Sequence, residues 1–200
     1  MTGVPTLRTP RLTLRPWRES DLEPLTAILS DPEVTRHLFG EGRPLNADEA
    51  REAYGRRVAS WENDGLGFWA LELQGTGELI GWAGLQVSRY EKGLEGVVEA
   101  GWTLGRAWWG NGYATEAAEA SLRWGFEQRG LERVYAFHEP ANRRSERVME
   151  GLGMDEAPET TDIRDGAVSS VRVLTRERWR SRTGRSGQAP RAEGREGGIG

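Results

Sequence analysis

The chain has 200 residues, of which 36% are hydrophobic, and it contains nine tryptophans and no cysteine. This length and apolar content predict a single domain with one sizeable core, and the lack of cysteine excludes disulfides, cysteine-ligated zinc and a thiol nucleophile. The net charge of −4 argues against general nucleic-acid binding, and the apolar runs are too short for a membrane span. We therefore expect a cytoplasmic protein without a leader segment.

The first half of the chain predicts strands and helices in the order strand, helix, helix and three strands. Period-two alternation marks the strands, and apolar residues on one face mark the helices. Ser20-Asp21 and Asn46 are the predicted helix caps, and Gly75-Thr76-Gly77 is typical of a hairpin turn. The predicted ranges are 11–15, 20–29, 47–62, 68–73, 78–87 and 97–104.

The second half contains the clearest helix, predicted over residues 114–129 and ended by Gly130. Its small residues Ala117, Ser121 and Gly125 indicate a helix that lies tightly on a sheet. A strand, a helix and a strand follow at residues 133–138, 142–151 and 168–175, with a turn at 164–166 before the last one. The whole order predicts an α/β fold with a mixed sheet.

The last twenty residues differ in composition from the rest of the chain. Residues 181–200 hold six glycines and four arginines, and Ile199 is their only large apolar residue. Such a composition cannot offset the entropy lost on ordering. We predict a single domain over residues 1–180 and a disordered tail over 181–200.

The segment WWGNGYATEA, residues 108–117, places two glycines between the end of a strand and the start of a helix. Free backbone N–H groups and the positive end of the helix dipole meet there, and glycine permits a close approach by a phosphate or pyrophosphate. No Lys-Ser/Thr follows, which excludes a P-loop, and Thr115 replaces the third glycine of a dinucleotide-binding motif. The predicted cradle consists of Gly110, Asn111, Gly112, Tyr113, Ala114 and Thr115.

This loop resembles the coenzyme A pyrophosphate loop of the GNAT N-acetyltransferases, and specifically the branch of the ribosomal-protein N-terminal (RimJ/RimL-type) acetyltransferases. Other segments are similar to that branch in the same order over residues 6–179, namely TPRLTLRP at 9–16, EAGWTL at 99–104, PANRRS at 140–145 and LGM at 152–154. The resemblance implies the acyl-CoA N-acyltransferase (GNAT) fold, with a mixed, mostly antiparallel sheet of six to seven strands and about four helices. It also implies acetyl-CoA as co-substrate and no metal.

The resemblance further implies that an amine attacks the thioester directly, without an enzyme nucleophile. The main chain of Trp102, Thr103 and Leu104 is then expected to bind the pantetheine arm as an added strand does. Asn142 is expected to cap its helix and contact the pantetheine, and Ser145 to place a hydroxyl near the sulfur. Glu116, in the first helical turn, fits a structural role better than a catalytic one.

Three residues are candidates for the base that takes a proton from the amine. Glu99 ranks first, acting directly or through a water, because it lies on the strand that leads into the loop. His138 is its rival, as an imidazole at a strand end, and His37 ranks below both. Each also has a structural interpretation, as a strand carboxylate or a packed histidine. Where many relatives carry a tyrosine as general acid, this chain has Met149, so Ser145, a water or the ammonium must serve.

The expected function is transfer of an acetyl group from acetyl-CoA to a primary amine, with a peptide or protein N-terminus ahead of a small-molecule amine. The partners expected are this acceptor, no nucleic acid and no membrane, in a monomer or homodimer. A non-catalytic acyl-CoA-binding or regulatory protein of the same fold is the alternative, and Met149 favours it. A nucleotide-binding enzyme is disfavoured by the missing Lys-Ser/Thr.

Overall fold

The computed structural model describes residues 3–38, 42–89, 94–157, 161–163 and 167–184. Its strands are β1 (Leu7–Arg8), β2 (Leu12–Arg15), β3 (Gly67–Leu73), β4 (Leu79–Val87), β5 (Val98–Leu104), β6 (Arg133–His138), β7 (Asp155–Glu156), β8 (Thr161–Ile163) and β9 (Ala167–Thr175). Its helices are α1 (Leu22–Leu29), α2 (Pro32–Thr35), α3 (Ala47–Asp64), α4 (Tyr113–Glu127), α5 (Arg143–Gly151) and α6 (Arg176–Gly184). Within these ranges, no helix combines the length and apolar character needed to cross a membrane.

The strands form one mixed sheet in the order β1-β2-β3-β4-β5-β6-β9-β7, with β8 paired to β9. Neighbouring strands run antiparallel except β5 and β6, which run parallel. Among the described residues, the register between β5 and β6 joins Glu99 to Tyr135 and does not continue beyond that pair. The two strands therefore part toward their carboxyl ends.

The predicted fold class is confirmed, and each of the six predicted strands and four predicted helices is present. The structure adds the short strands β1, β7 and β8 and the helices α2 and α6. A strand of two or three residues is too short to show the alternation of apolar and polar residues that marks a strand in a sequence. Such a strand forms only where a neighbouring strand offers it free backbone N–H and carbonyl groups.

Helices cover both faces of the sheet. Apolar residues of α1 and α3, including Leu25 and Ala53, pack with Trp82 on one face. On the other face α4 lies close to the strands, because a Cβ atom at Gly125 would come within 2.4 Å of Leu85 Cδ1. The prediction from the small residues of α4 is thus confirmed.

Asp21 is the N-cap residue of α1, as predicted, but its side chain accepts no hydrogen bond from the first turn of that helix. Both of its carboxylate oxygens accept hydrogen bonds from the guanidinium of Arg15 at 2.7 Å, and one also accepts from the Arg18 N–H. Asp21 ends a 3₁₀ turn, and α1 begins only at Leu22. A buried arginine needs a carboxylate partner, and this demand outweighs capping.

The predicted start of the disordered tail at residue 181 is also corrected, because α6 continues to Gly184. Trp179 is 1% exposed and anchors the helix in the core. Beyond it, Arg182 Nη1 donates to the Leu152 carbonyl at 2.7 Å, and Thr183 Oγ1 donates to the Trp179 carbonyl at 2.9 Å. The rest of the predicted tail, residues 185–200, and the predicted turn at 164–166 lie outside the described residues.

Candidate active site

A groove of about 320 Å³ opens where β5 and β6 part. Three structural units form its walls: α2 and the turn after it, the end of β5 with the following loop and the start of α4, and the start of α5. The described wall residues are Glu33, Val34, His37 and Leu38; Trp102–Leu104, Trp108–Gly110 and Gly112–Thr115; and Asn142, Arg144, Ser145, Arg147 and Val148.

The start of α4 presents uncapped backbone donors to this groove. Gly112 is the N-cap residue, with φ of +78°, and it has no side chain that could accept from the first-turn N–H groups. Within the described part of the chain, no side-chain bond to the N–H groups of Tyr113, Ala114 or Thr115 is formed. A Cβ atom at Gly110, also at φ +78°, would meet no described atom within 4 Å. The loop thus offers donors and space for an anion.

The same loop is held from behind by the N-terminal strand region. Glu116 accepts hydrogen bonds from Thr9 Oγ1 at 2.6 Å, from the Arg11 N–H at 2.9 Å and from Arg11 Nε at 2.6 Å. Arg11 Nη1 also donates to the Asn111 carbonyl at 2.8 Å. Burial alone would raise the pKa of Glu116, but the hydrogen bonds from Thr9 and Arg11 hold it below its ordinary value. The structural role predicted for Glu116 agrees with these contacts.

The end of β5 has one backbone edge that β6 leaves open. The Gly105 N–H donates to the Ile80 carbonyl at 2.9 Å, which extends the β4–β5 register by one residue beyond the pair Gly81 and Leu104. Backbone groups of successive residues on a strand point to alternate sides. The backbone N–H and carbonyl groups of Thr103 therefore point toward β4. The backbone groups of Trp102 and Leu104 point to the opposite edge, where β6 is no longer paired with β5.

Trp109 is tied to this open edge. Its indole Nε1 donates to the Leu104 carbonyl at 2.9 Å, and the guanidinium of Arg144 lies over its ring at 4.2 Å from the centroid. This stacking joins the wall that β5 forms to the wall that α5 forms. It also occupies one of the acceptors that β5 could otherwise offer to a ligand.

Asn142 and Ser145 lie together in the α5 wall. The side-chain oxygen of Asn142 accepts from the Ser145 N–H at 3.2 Å, so Asn142 is the N-cap of α5 as predicted. Met149, one turn further along, is 1% exposed and packs in the core. Met149, the residue at the position expected for a tyrosine acid, is therefore a core residue and not one of the described wall residues.

The residues ranked highest as base do not lie in the described walls. Glu99 is half-buried, and its Oε1 accepts from Gln86 Nε2 on the neighbouring strand. His138 is 5% exposed, with Nδ1 bonded to the Glu139 carbonyl at 2.9 Å. Asn111 also stands outside the walls, since its side-chain amide donates to the carbonyls of Trp108 and Trp109. The role of Glu99 stays a prediction.

The sequence did not indicate Glu33 or Glu139 as residues of the site, and it placed His37 below the other two candidates for the base. Glu33 and His37 both line the groove, and His37 Nδ1 lies 2.6 Å from Glu139 Oε2. The two partners of this contact are 102 positions apart, so no local pattern could indicate it. The short helix α2, which carries Glu33, was itself not predicted.

The acetyltransferase (GNAT) domain model matches residues 11–155 of the chain. The Bacillus subtilis (strain 168) protein YkkB, of uncharacterised function, is 33% identical over 155 residues, which span 77% of this chain and 87% of YkkB. The FsC-acetyl coenzyme A-N(2)-transacetylase of Aspergillus fumigatus is 32% identical over 155 residues, spanning 75% of this chain and 65% of that enzyme. An acetyltransferase crystal structure from Agrobacterium tumefaciens superposes with a TM-score of 0.74 at 31% identity, covering 87% and 96% of the two chains.

The chain belongs to the GNAT acetyltransferase family. It is an enzyme, an N-acetyltransferase, as predicted, and its family uses acetyl-CoA as donor. In the part of the chain that the structure describes, no three His, Asp or Glu side chains converge as metal ligands.

Proposed function

We propose that the protein transfers the acetyl group of acetyl-CoA to a primary amine, with a peptide or protein N-terminus preferred over small-molecule amines, as in the RimJ/RimL-type branch. The observation that carries this proposal is the groove itself. Uncapped amides of α4, the open edge of β5 and the Asn142–Ser145 pair all lie on one cleft. Such a cleft suits a long ligand with an anionic end and an amide-rich arm.

The described residues offer partners for the pyrophosphate and for the pantetheine arm of the donor. The amides of Tyr113, Ala114 and Thr115 are suited to the pyrophosphate, with Gly110 and Gly112 leaving it room. Arg144 and Arg147, in the opposite wall, add positive charge, and the structure records no carboxylate within ion-pair distance of either in the described part of the chain. They are therefore available to phosphate oxygens.

The pantetheine arm has fewer partners than the sequence predicts. Trp102 can offer both its N–H and its carbonyl on the open edge, and Leu104 can offer its N–H. The Leu104 carbonyl is already bonded to Trp109, and the backbone of Thr103 faces β4. We therefore expect Thr103 to contribute its side chain to the wall, while Trp102 and Leu104 supply the strand-like hydrogen bonds.

The chemistry requires a neutral amine, a positioned thioester and a proton for the departing sulfur. The amine nitrogen forms a bond to the carbonyl carbon, and the C–S bond breaks with its electron pair remaining on sulfur. Ser145 lies in the wall next to Asn142 and is our candidate for the hydroxyl that passes a proton to the thiolate. Met149 is excluded from this role by its burial and its chemistry.

Two arguments support an α-amino acceptor. Its pKa is near 8, against about 10 for a lysine side chain, so less proton removal is needed at neutral pH. The net charge of −4 also favours the approach of cationic acceptors. The name of the Aspergillus fumigatus relative, an acetyl coenzyme A-N(2)-transacetylase, supports transfer to nitrogen from the same donor.

The test is thiol release from acetyl-CoA with a panel of acceptors. The panel holds lysine-containing peptides with free or blocked N-termini, polyamines, aminoglycosides and free amino acids. We expect the free-N-terminus peptides to react fastest. Faster turnover of the N-terminally blocked peptides would contradict the N-terminal preference, and a preference for an alcohol would contradict the acceptor class.

A further inference from the structure

An imidazole and a carboxylate form a pair at the rim of the groove. His37 follows α2, Glu139 follows β6, and their side chains meet with Nδ1 and Oε2 at 2.6 Å. The side chains are 25% and 33% exposed, so the pair is shielded but reachable. His37 shares the groove with Ser145, which lies in the α5 wall.

This contact determines which nitrogen of the ring can act as a base. A carboxylate at Nδ1 holds the proton on that nitrogen and leaves the lone pair on Nε2. No hydrogen bond to Nε2 is formed by any residue of the described ranges. His37 is thus an oriented imidazole with an open acceptor nitrogen in a ligand groove.

The charges around His37 come from several elements. Glu33, on α2, lines the same wall and is paired with Arg36. Arg144 and Arg147 belong to the α5 wall, and His138 contacts the backbone of Glu139. The carboxylate of Glu139 is the group in direct contact with the ring, and it stabilises the imidazolium that proton uptake creates.

Glu99 is less well placed for the same task. It lies three residues before Trp102, the nearest wall residue on β5, a separation of roughly 10 Å along a strand, and its carboxylate accepts from Gln86. Among the described wall residues, His37 is the only histidine.

Resting on the proposed function, we propose that His37 is the catalytic base and that Glu139 is its positioning residue. One proton of the incoming ammonium moves to Nε2, and the freed lone pair forms the C–N bond. As the C–S bond breaks, its electron pair stays on sulfur, and the second proton lost by the nitrogen reaches the thiolate. The imidazolium then returns its proton to solvent.

The main test is His37→Asn, which keeps a short amide facing Glu139 and removes Nε2. We expect kcat to fall about 10²-fold, while the rise in Tm caused by acetyl-CoA is kept. The difference in kcat between this variant and wild type should shrink as pH increases, because more of the amine is then already neutral. Glu62→Gln, an exposed substitution on α3, is the control and keeps wild-type kinetics.

A second measurement separates positioning from mere structure. In wild-type protein, ¹⁵N NMR of the His37 ring should show the proton on Nδ1, and Glu139→Gln should mix the two tautomers. The same variant should lower kcat about tenfold and shift the pH profile, with Glu139→Asp recovering part of the loss.

Three results would overturn the inference. Full turnover by His37→Asn would exclude His37 as base while leaving the acetyltransferase function intact. A greater loss in Glu99→Gln than in His37→Asn would return the role to Glu99. A wild-type enzyme that binds acetyl-CoA but acetylates no amine of the panel would remove the proposed function, and the inference with it.

Discussion

Among single residues, the glycine that precedes α4 has the most direct effect on donor binding. Gly112 lines the groove with φ of +78°, and the nearest described atom to a Cβ built there is Arg11 Nη2, at 3.5 Å. Gly112→Val should abolish the rise in Tm that acetyl-CoA causes, because the side chain fills the space of the pyrophosphate and strains the loop. Thermal denaturation with and without the ligand measures this.

Gly77→Val is the matched control for that substitution. Gly77 has φ of +74°, and a Cβ atom there has no described neighbour within 4 Å, but it lies between β3 and β4, away from the groove. Both variants should lose about 1–3 kcal/mol of stability through backbone strain. Only the control should keep the ligand-induced rise. An equal rise in the two variants would exclude the loop as the pyrophosphate site.

Glu116 is the residue whose ionisation stabilises the loop. Its folded-state pKa lies below the ordinary value of 4.5, so its stabilising effect is present above that pH and is lost as pH falls through the folded-state pKa. Glu116→Gln should cost about 1–3 kcal/mol at pH 7 through weakened hydrogen bonds to Thr9 and Arg11. The Tm difference from wild type should shrink as pH drops below 4.5.

Glu127→Gln provides the comparison on the same helix. Glu127 is exposed, so its replacement should change stability by no more than about 0.5 kcal/mol. If the Tm of Glu116→Gln stays below that of wild type by the same amount down to pH 3, the carboxylate charge does not contribute to stability.

At the scale of elements, α6 connects the end of the chain to the core. Trp179 stacks on Phe126 with ring centroids 5.7 Å apart, and Trp179→Ala should lower the free energy of unfolding by about 3–5 kcal/mol.

Deleting residues 185–200 should leave Tm unchanged, whereas deleting residues 181–200 should lower Tm, because Arg182 and its hydrogen bond to the Leu152 carbonyl are lost. Calorimetry of the two truncated proteins distinguishes these cases. Equal Tm values would contradict the docking of the last turn.

The parting of β5 and β6 is the element-scale feature that creates the groove. The strands themselves could be predicted, since each shows its own pattern, but their divergence depends on one register pair, Glu99 with Tyr135. The hydrogen bond from the Gly105 N–H to the Ile80 carbonyl shows which residues of β5 direct their backbone groups toward β4. The residues between them direct their backbone groups to the open edge. Neither fact has a local signature.

For the whole molecule, the net charge of −4 predicts a dependence of acceptor binding on salt. Raising the ionic strength from about 0.05 M to about 0.5 M shortens the screening length several-fold. The KM for a basic peptide with a free N-terminus should then rise several-fold, and the KM for a neutral peptide of equal length should change little. Steady-state kinetics at fixed, saturating acetyl-CoA measures both. Equal responses would show that long-range charge plays no part.

The sequence by itself determined the order of the elements, the α/β class, the acetyltransferase family and the place of the glycine loop. These depend on local patterns, such as the apolar period of α4 and the two glycines before it, which act within a few residues. Only the tertiary structure decided that Glu99 and His138 stand outside the described walls, that Asp21 binds Arg15, and that α6 reaches Gly184. It also brought His37 to Glu139 across 102 positions. Contacts of this kind arise from packing between elements, and a single sequence does not record which side chains that packing brings together.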